Sequence, residues 1–258
     1  AAADGAAPKI AVTIKTPALC PRYSGRYLET VHIAPSPFWL AYRLHHAGMR
    51  AINNIVDITN YSMLENGHPL HAFDAARIEG QQIIVRGAEA GEHFTTLDGK
   101  EHLLEADTCL ICDGTRPVAL AGIMGGLNSE VEVETRALFL ESAYFEPTGI
   151  RRSSKRLAIS TESSKRFERG ANPNGTLYAL DRAALLMQEL AGATVVGQAV
   201  DVYPSAIAPA VITLSLDHIS RLIGAELSAA EIVSILTSLE IGCVEEKPGS
   251  FSCTIPTF

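Results

Sequence analysis

The sequence has few cysteines and few charged residues, and it contains no long hydrophobic run. Five cysteines scattered over 258 residues do not form the dense, even set of a secreted disulfide scaffold, so we expect a cytoplasmic protein. No run reaches the roughly 18 apolar residues that a transmembrane helix needs, and residues 1–8 lack the basic and apolar regions of a signal peptide. The sequence therefore predicts neither a membrane span nor a secretory signal.

Positive charge is scarce. Lys and Arg total 21 against 29 Asp and Glu, for a net charge of −8 at pH 7, which argues against a general basic nucleic-acid-binding domain. Hydrophobic residues make up 47% of the chain, as expected of a packed globular protein. The length corresponds to one or two domains. Because the sequence does not begin with Met and stops at Phe258 after a strand-like run, we expect an excised piece of a longer protein.

Hydrophobic periodicity and turn signals predict a mixed α+β fold. Helices are predicted at residues 37–46, 55–64, 148–157, 177–190, 215–223 and 227–240. Strands are predicted at residues 82–86, 93–97, 101–104, 109–112, 117–121, 137–142, 195–203 and 251–255. Asp98-Gly99 and Asp113-Gly114 are typical of hairpin turns, so the middle of the chain is predicted to be antiparallel β. Ser36 is the expected cap of the first helix.

An Ala-, Pro- and Ser-rich stretch at residues 204–209 is the best candidate for a domain boundary. We predict a tail at residues 1–19, a large domain at 20–204, a linker at 205–210 and a small domain at 211–258. The small domain combines two helices, the second with a Ser228/Glu231 capping box, and a hairpin. This order indicates a truncated winged-helix-like domain.

Two short motifs have ordinary structural explanations. Cys109 and Cys112 have C-x-x-C spacing, but no second pair completes four metal ligands, and their apolar alternation favours a strand. Three glycines in residues 122–126 do not match a phosphate-binding loop. They allow either a close approach of the main chain to a ligand or a tight bend after a strand. No spacing typical of a serine or zinc hydrolase occurs.

Basic residues concentrate in one window. Residues 151–169 contain seven basic and two acidic residues, a formal charge of +5, whereas the rest of the chain contains 14 basic and 27 acidic residues, a charge of −13. Such a contrast would attract and orient a polyanion. The alternative is a solvated helix face with internal ion pairs.

Four polar residues stand in informative positions. Glu141 interrupts a buried strand, and a carboxylate there must be paired, neutralised or directed at a ligand. His71 follows a helix end and a proline, so we expect it on a loop that can reach a cleft, although a lone histidine is commonly a packed one. Thr161 and Ser163 would point the same way in an extended segment, or they could cap the following helix.

Five sequence motifs together resemble those of the β subunit of bacterial phenylalanyl-tRNA synthetase. The matching motifs are Asn53 to Tyr61, His71 to Asp74, Gly122 to Gly126, Phe139 to Ala143 and Thr161 to Gly170. The resemblance runs from about Cys20 to Tyr203, a stretch that corresponds to the B3/B4 editing region of the family. The segment after Pro209 resembles the start of the small B5 domain.

The resemblance implies an antiparallel β-rich editing module, with a β-sandwich core and flanking helices, that hydrolyses tyrosine wrongly attached to phenylalanine tRNA. The alternative is a module that positions tRNA or assembles subunits and has no editing activity in isolation. The whole ligase would use ATP and Mg²⁺ at a synthetic site outside this fragment, in an α2β2 complex with an α subunit. We expect no cofactor or metal in the fragment itself.

The resemblance also implies roles for individual residues. His71, Glu141 and Thr161 match the catalytic residues of editing, and Glu141 would recognise the phenolic hydroxyl of tyrosine. Thr59, Asn60, Gly122, Gly125 and Ser163 match the pocket lining. Ser163 departs from the family pattern, in which alanine is commoner at this position, and its hydroxyl would tighten the pocket or add a polar contact. We assign tRNA binding to the basic helix residues Arg151, Arg152, Lys155 and Arg156.

Overall fold

A computed structural model describes residues 7–258 of the chain. The chain divides into two compact units, the first ending at Ser205 and the second spanning Ala206–Phe258. Seven α-helices are described: α1 Phe38–His46, α2 Asn54–Asn66, α3 Pro147–Leu157, α4 Glu162–Phe167, α5 Thr176–Ala191, α6 Leu216–Ile223 and α7 Ala229–Ser238. The predicted α+β class is confirmed.

Fourteen strands are described in the same part of the chain. In order they are β1 Ala11–Ile14, β2 Arg22–Glu29, β3 His71–Asp74, β4 Gln82–Gly87, β5 Glu92–Thr95, β6 Glu101–Leu104, β7 Cys109–Cys112, β8 Pro117–Leu120, β9 Met124–Gly125, β10 Leu138–Tyr144, β11 Thr194–Val202, β12 Ala210–Ser215, β13 Gly242–Lys247 and β14 Ser250–Ile255. Strands β5 and β6 form a separate two-stranded ribbon.

Two larger sheets build the first unit. One has the order β1-β4-β7-β8-β9, and the other has the order β11-β2-β10-β3. Every pairing in them is antiparallel except the parallel pair β1 and β4. The Asp113-Gly114 turn connects β7 to β8 as predicted.

The second sheet lies between two hydrophobic cores because successive side chains of a strand point to opposite faces. On β10, Phe139 and Ala143 belong to the core shared with β4, β7 and β8. The alternate residues Leu138 and Leu140 belong to the core shared with α1, α2 and α5. The first unit is therefore a two-sheet sandwich whose second sheet is covered by helices. Glu141 has the parity of Phe139, so its carboxylate enters the core between the sheets.

The second unit is small. Strands β12, β14 and β13 form an antiparallel sheet in that order, and α6 and α7 lie between β12 and β13 in the chain. Its buried residues are Ile232, Phe251 and Cys253. The predicted capping box of α7 is present, with Ser228 and Glu231 bonded reciprocally.

Several local predictions differ from the structure. His71 was expected on a loop, but it begins β3, because tertiary pairing with β10 extends the chain there. Ser36 does not cap α1; its hydroxyl donates to Asp57 Oδ2, and the cap position is Pro37. Within the predicted tail, Ala11–Ile14 forms β1 and residues 1–6 lie outside the described part of the chain. Ala210–Ser215 is a strand that periodicity did not reveal.

Candidate active site

A cavity of about 50 Å³ opens between the sheets of the first unit, beside α4. Most of its lining is apolar, and the polar side chains in it are those of His71, Glu141 and Ser163. Gly122 and Gly125 supply main-chain wall. Apolar walls with a few convergent polar groups are typical of small-molecule sites. The volume suffices for a few waters, whereas an apolar cavity that binds benzene measures roughly 150 Å³, so an aromatic ring would be enclosed only if the lining moved.

Glu141 is the carboxylate of this cavity. It lies on β10, paired in register with His71 of β3 and Gly25 of β2, and it is 5% exposed. The hydroxyl of Tyr23 donates a hydrogen bond to Glu141 Oε2 at 2.6 Å. Burial raises the pKa of Glu141 to about 7, and the bond from Tyr23 acts in the opposite direction. Near neutral pH the carboxyl group can therefore be in either protonation state.

His71 faces the same cavity from the neighbouring strand. Its ring packs edge-on against Phe73, with 4.4 Å between ring centroids. Burial lowers the pKa of His71 to about 4, so the imidazole is neutral at physiological pH and one of its nitrogens is a hydrogen-bond acceptor. A neutral imidazole can hold a water molecule or a ribose hydroxyl by a hydrogen bond.

Gly125 allows the His71 ring to lie close to the main chain. A Cβ at position 125 would be 2.9 Å from His71 Cε1 and 3.0 Å from Leu97 Cδ1, so any side chain there would displace the imidazole. Gly122 has a φ of +66°, and a Cβ on it would meet the rings of Phe145 and Phe167. Gly122 lies in the turn that joins β8 to β9, so the structure shows the tight bend after a strand, and approach of the main chain to a ligand stays a prediction.

Helix α4 forms another wall. Ser163 and Phe167, one turn apart on α4, line the cavity. Thr161 caps the helix: it accepts from the backbone N–H of Ser164 at 3.0 Å, and its hydroxyl donates to the carbonyl of Ile123 at 2.9 Å. This hydroxyl thus caps α4 and, by its bond to Ile123, joins the helix to the glycine-rich loop. Of the two roles left open for Thr161, the structure shows the cap.

The structure brings together five of the residues that the sequence analysis placed at the site: His71, Gly122, Gly125, Glu141 and Ser163. The other three do not line the cavity. Thr59 is buried in α2, where its hydroxyl donates to the carbonyl of Val56 at 2.7 Å, Asn60 is half-buried on the same helix, and Thr161 is the cap of α4. Sequence reasoning missed Tyr23 and Met124, which touch Glu141 and line the cavity respectively.

The basic residues of α3 are exposed, but they are not equivalent. Asp107 pairs with Arg156 and, at 3.9 Å, with Arg152. Neither Arg151 nor Lys155 has an ion-pair partner within residues 7–258. The cationic face of α3 therefore consists of two partly neutralised and two unpaired groups.

On α4, Lys165 and Arg166 each pair with Glu162 at 2.9 Å. With Arg169, Gly67 and Gly170 these side chains line an open cleft. The cleft and the cavity share two walls, α4 and the segment of residues 67–71.

The described residues contain neither a metal cluster nor a membrane-spanning helix. No group of three or more His, Cys, Asp or Glu side chains among residues 7–258 could hold a metal ion, and Cys109 and Cys112 lie in the buried strand β7. No helix in this part of the chain is long and apolar enough to cross a membrane.

Comparison with known families gives two matches along the chain. Residues 19–192 match the model of the B3/4 domain, and residues 212–258 match that of the tRNA synthetase B5 domain. The cavity and its walls lie within the first of these ranges.

The phenylalanine–tRNA ligase beta subunit of Geobacter sulfurreducens is 51% identical over 250 residues, which are 97% of this chain and 31% of that protein. The beta subunit of Symbiobacterium thermophilum is 51% identical over 230 residues, 89% of this chain and 26% of that protein. A crystallised N-terminal fragment of the phenylalanyl-tRNA synthetase beta subunit of Pyrococcus horikoshii is 15% identical in sequence, with a TM-score of 0.48. That match covers 100% of this chain and 72% of the crystallised fragment. The chain thus spans about a third of the length of the relatives it matches. On the family match and these identities, the chain belongs to the family of phenylalanine–tRNA ligase beta subunits and carries a B3/4 domain followed by B5 domain sequence.

Proposed function

We propose that this region proofreads for a phenylalanine–tRNA ligase by hydrolysing the ester of tyrosine wrongly attached to phenylalanine tRNA. The observation that carries the proposal is Glu141, a carboxylate buried in the wall of a small, mostly apolar cavity. A buried carboxylate needs a hydrogen-bond donor. The phenolic hydroxyl of tyrosine is such a donor, and phenylalanine offers none.

Proofreading is needed because an apolar synthetic pocket rejects a substrate with one additional hydroxyl only weakly, by roughly a hundredfold. An editing pocket that binds the hydroxyl has the opposite preference and favours tyrosine over phenylalanine. Bound tyrosine would pair with Glu141, whereas bound phenylalanine would leave the buried carboxylate without that partner. The same side chain thus accepts the wrong amino acid and spares the correct one.

In the hydrolytic step, the main task of the protein is to position the water and the ester. Water adds to the ester carbonyl, the bond between that carbon and the terminal ribose oxygen breaks, and a proton passes to the ribose, releasing tyrosine and tRNA. The neutral ring of His71 would orient the water or the ribose hydroxyl, and the main chain at Gly122 and Gly125 would confine the ester. Orientation and preorganised polar groups supply much of the rate in such reactions.

Transfer RNA would approach along the basic helices. The two unpaired cations of α3 and the cleft beside α4 lie in the window of positive charge, and each phosphate neutralised there would release counterions. In the whole ligase we propose an α subunit as partner, in an α2β2 complex, with ATP and Mg²⁺ bound at a synthetic site outside this chain. The negative remainder of the chain would orient the tRNA toward the basic face.

One observation favours the alternative, a module that positions tRNA without editing when isolated. The cavity of about 50 Å³ is smaller than a cavity of roughly 150 Å³ that binds benzene. Met124, whose flexible side chain is in the lining, is the residue best suited to move aside. In this alternative the opening would depend on the rest of the ligase.

The test is deacylation of tyrosyl-tRNA by ligase assembled from the full-length β subunit and the α subunit. Glu141→Gln removes the charge from the acceptor, and a hydrogen bond to a charged group contributes about 1.5–3 kcal/mol, so we expect deacylation to slow about 10- to 150-fold. His71→Ala should also slow it, and charging with phenylalanine should be unchanged in both variants.

Asp74→Asn is the matched control. Asp74 is a buried carboxylate on β3 that accepts from the hydroxyl of Thr135 at 2.7 Å, and it does not line the cavity. Deacylation by this variant should match that of the wild-type ligase. Equal deacylation by the wild type and by the Glu141 and His71 variants would exclude a hydrolytic role of the cavity, and activity in the ligase but not in the isolated fragment would favour the alternative for the fragment.

A further inference from the structure

Tyr23 is a buried phenol inside a site proposed to recognise a phenol. It lies on β2, next to β10, and it is fully buried. Its hydroxyl is 2.6 Å from Glu141 Oε2, so the donor of this bond is the chain's own tyrosine. The other carboxylate oxygen, Oε1, accepts no hydrogen bond from any described residue, and Glu141 lines the cavity. The hydroxyl of Tyr23 thus binds Oε2, and Oε1 is available to a ligand.

The surroundings of Glu141 contain no compensating cation among the described residues. The titratable groups that face it are Tyr23 from β2, His71 from β3, the thiol of Cys20 in the segment before β2, and the thiol of Cys109 from β7. Burial raises the pKa of both thiols, so they are uncharged, and the imidazole of His71 is neutral. The hydrogen bond from Tyr23 is consequently the interaction that stabilises the ionised carboxylate in this pocket.

We propose that Tyr23 is a positioning residue for tyrosine recognition, whose hydroxyl fixes Glu141 Oε2 and leaves Oε1 to accept the phenolic hydroxyl of the substrate. The inference rests on the proposed editing function and adds to it a residue outside the cavity lining. A carboxylate can accept from two donors at once, one on each oxygen. A neutral carboxylic acid carries a proton on one oxygen, so its two oxygens are no longer equivalent acceptors.

The consequence is a dependence on pH with a defined sign. Without the hydroxyl of Tyr23, burial acts on Glu141 unopposed and its pKa rises further above the wild-type value of about 7. A smaller fraction of Glu141 is then ionised at pH 7, and tyrosine recognition requires a more alkaline solution. The acid limb of the deacylation profile should therefore move to higher pH in Tyr23→Phe, by about one pH unit.

The experiment measures kcat/KM for tyrosyl-tRNA deacylation between pH 6 and 9 with the assembled ligase, in wild type and Tyr23→Phe. We expect activity of the variant to be about fivefold lower at pH 7, to approach tenfold lower at pH 6, and to recover at the alkaline end. Tyr27→Phe is the matched control, because Tyr27 lies on the same strand and face and packs against the same core. Its profile should coincide with that of the wild type.

A second variant has the opposite expected sign and keeps the hydroxyl of Tyr23. Replacement of Tyr23 by 3-fluorotyrosine makes the phenol a stronger donor, so the acid limb should shift to lower pH. A profile for Tyr23→Phe that coincides with the wild type, or a loss of equal size at every pH, would overturn the positioning role, as would an unshifted limb with fluorotyrosine. Failure of the proposed editing function can be told apart from failure of the positioning role. In that case the wild-type ligase itself would not deacylate tyrosyl-tRNA at any pH.

Discussion

The cavity and the basic helices α3 and α4 hold charge in opposite ways. In the cavity, one carboxylate is buried with one hydroxyl donor, and burial raises its pKa to about 7. On the helices, Arg156 and Arg166 remain in contact with water and pair with acids beside them. Exposed ion pairs contribute roughly 0–1 kcal/mol each, whereas changing a buried charge alters both stability and recognition. We therefore expect substitutions in the cavity to have large effects, and substitutions on the helices to have small, additive ones.

The largest effect should come from Gly125→Ala. The backbone at this position does not require glycine, since its φ is not positive, so the main consequence is the contact of the new methyl group with His71 and Leu97. A displacement of about 1 Å at a reacting group can cost a hundredfold in rate. We expect tyrosyl-tRNA deacylation to slow about 100-fold with charging unchanged.

Gly242→Ala is the control for this prediction. A Cβ there would make ordinary contacts with Thr254 at 3.4 Å or more, and the residue lies in the second unit. If Gly125→Ala deacylates as fast as Gly242→Ala does, the close approach of His71 to the main chain has no part in the reaction.

A smaller effect is expected on stability. The folded-state pKa of Glu141, about 7, is above its usual value of 4.5, so the folded chain binds more protons than the unfolded chain between these values. The stability contributed by this group is therefore present below about pH 4.5 and is lost as pH rises toward 7. Glu141→Gln, which carries no charge, should be more stable than wild type at pH 8, by about 1–3 kcal/mol.

Hydrogen exchange of peptides that cover β10, in the full-length β subunit, measures this difference. Protection in Glu141→Gln should exceed that in the wild type at pH 8, and the two should converge at pH 5 once rates are corrected for pH. Equal protection at both pH values would mean that the ionised carboxylate is not destabilising in its pocket.

Part of the cavity could be predicted from sequence. Glu141 interrupts an apolar run, and this anomaly is visible without any structure. His71 could be noticed from its position after a helix end and a proline, but its strand was missed because pairing with β10, not local pattern, extends the chain. Tyr23 gave no signal at all, since the register of β2 against β10 brings it to a carboxylate 118 positions away.

For the basic helices, the sequence shows where the charges are but not which of them are paired. Counting charges identified the window of residues 151–169, but a count does not show which charges are neutralised. Asp107 lies outside the window, and tertiary folding places it against Arg152 and Arg156. Part of the window is therefore an ion-paired face, and attraction of a polyanion by the unpaired cations stays a prediction.

The smallest predicted effect separates these two parts. Arg151→Ala and Lys155→Ala remove unpaired cations, so each should weaken tRNA binding several-fold and lower the slope of log affinity against log salt by about 0.7–0.9 for each phosphate that is no longer neutralised. Arg152→Ala and Arg156→Ala remove cations already shared with Asp107, and we expect a smaller change in the same slope. Binding of tRNA to the assembled ligase, titrated at several salt concentrations, compares the two pairs. All four side chains are exposed on one helix and carry the same charge, and the two pairs differ in whether Asp107 lies beside them. Equal decreases in slope from the two pairs would show that Asp107 does not reduce the attraction of α3 for a polyanion.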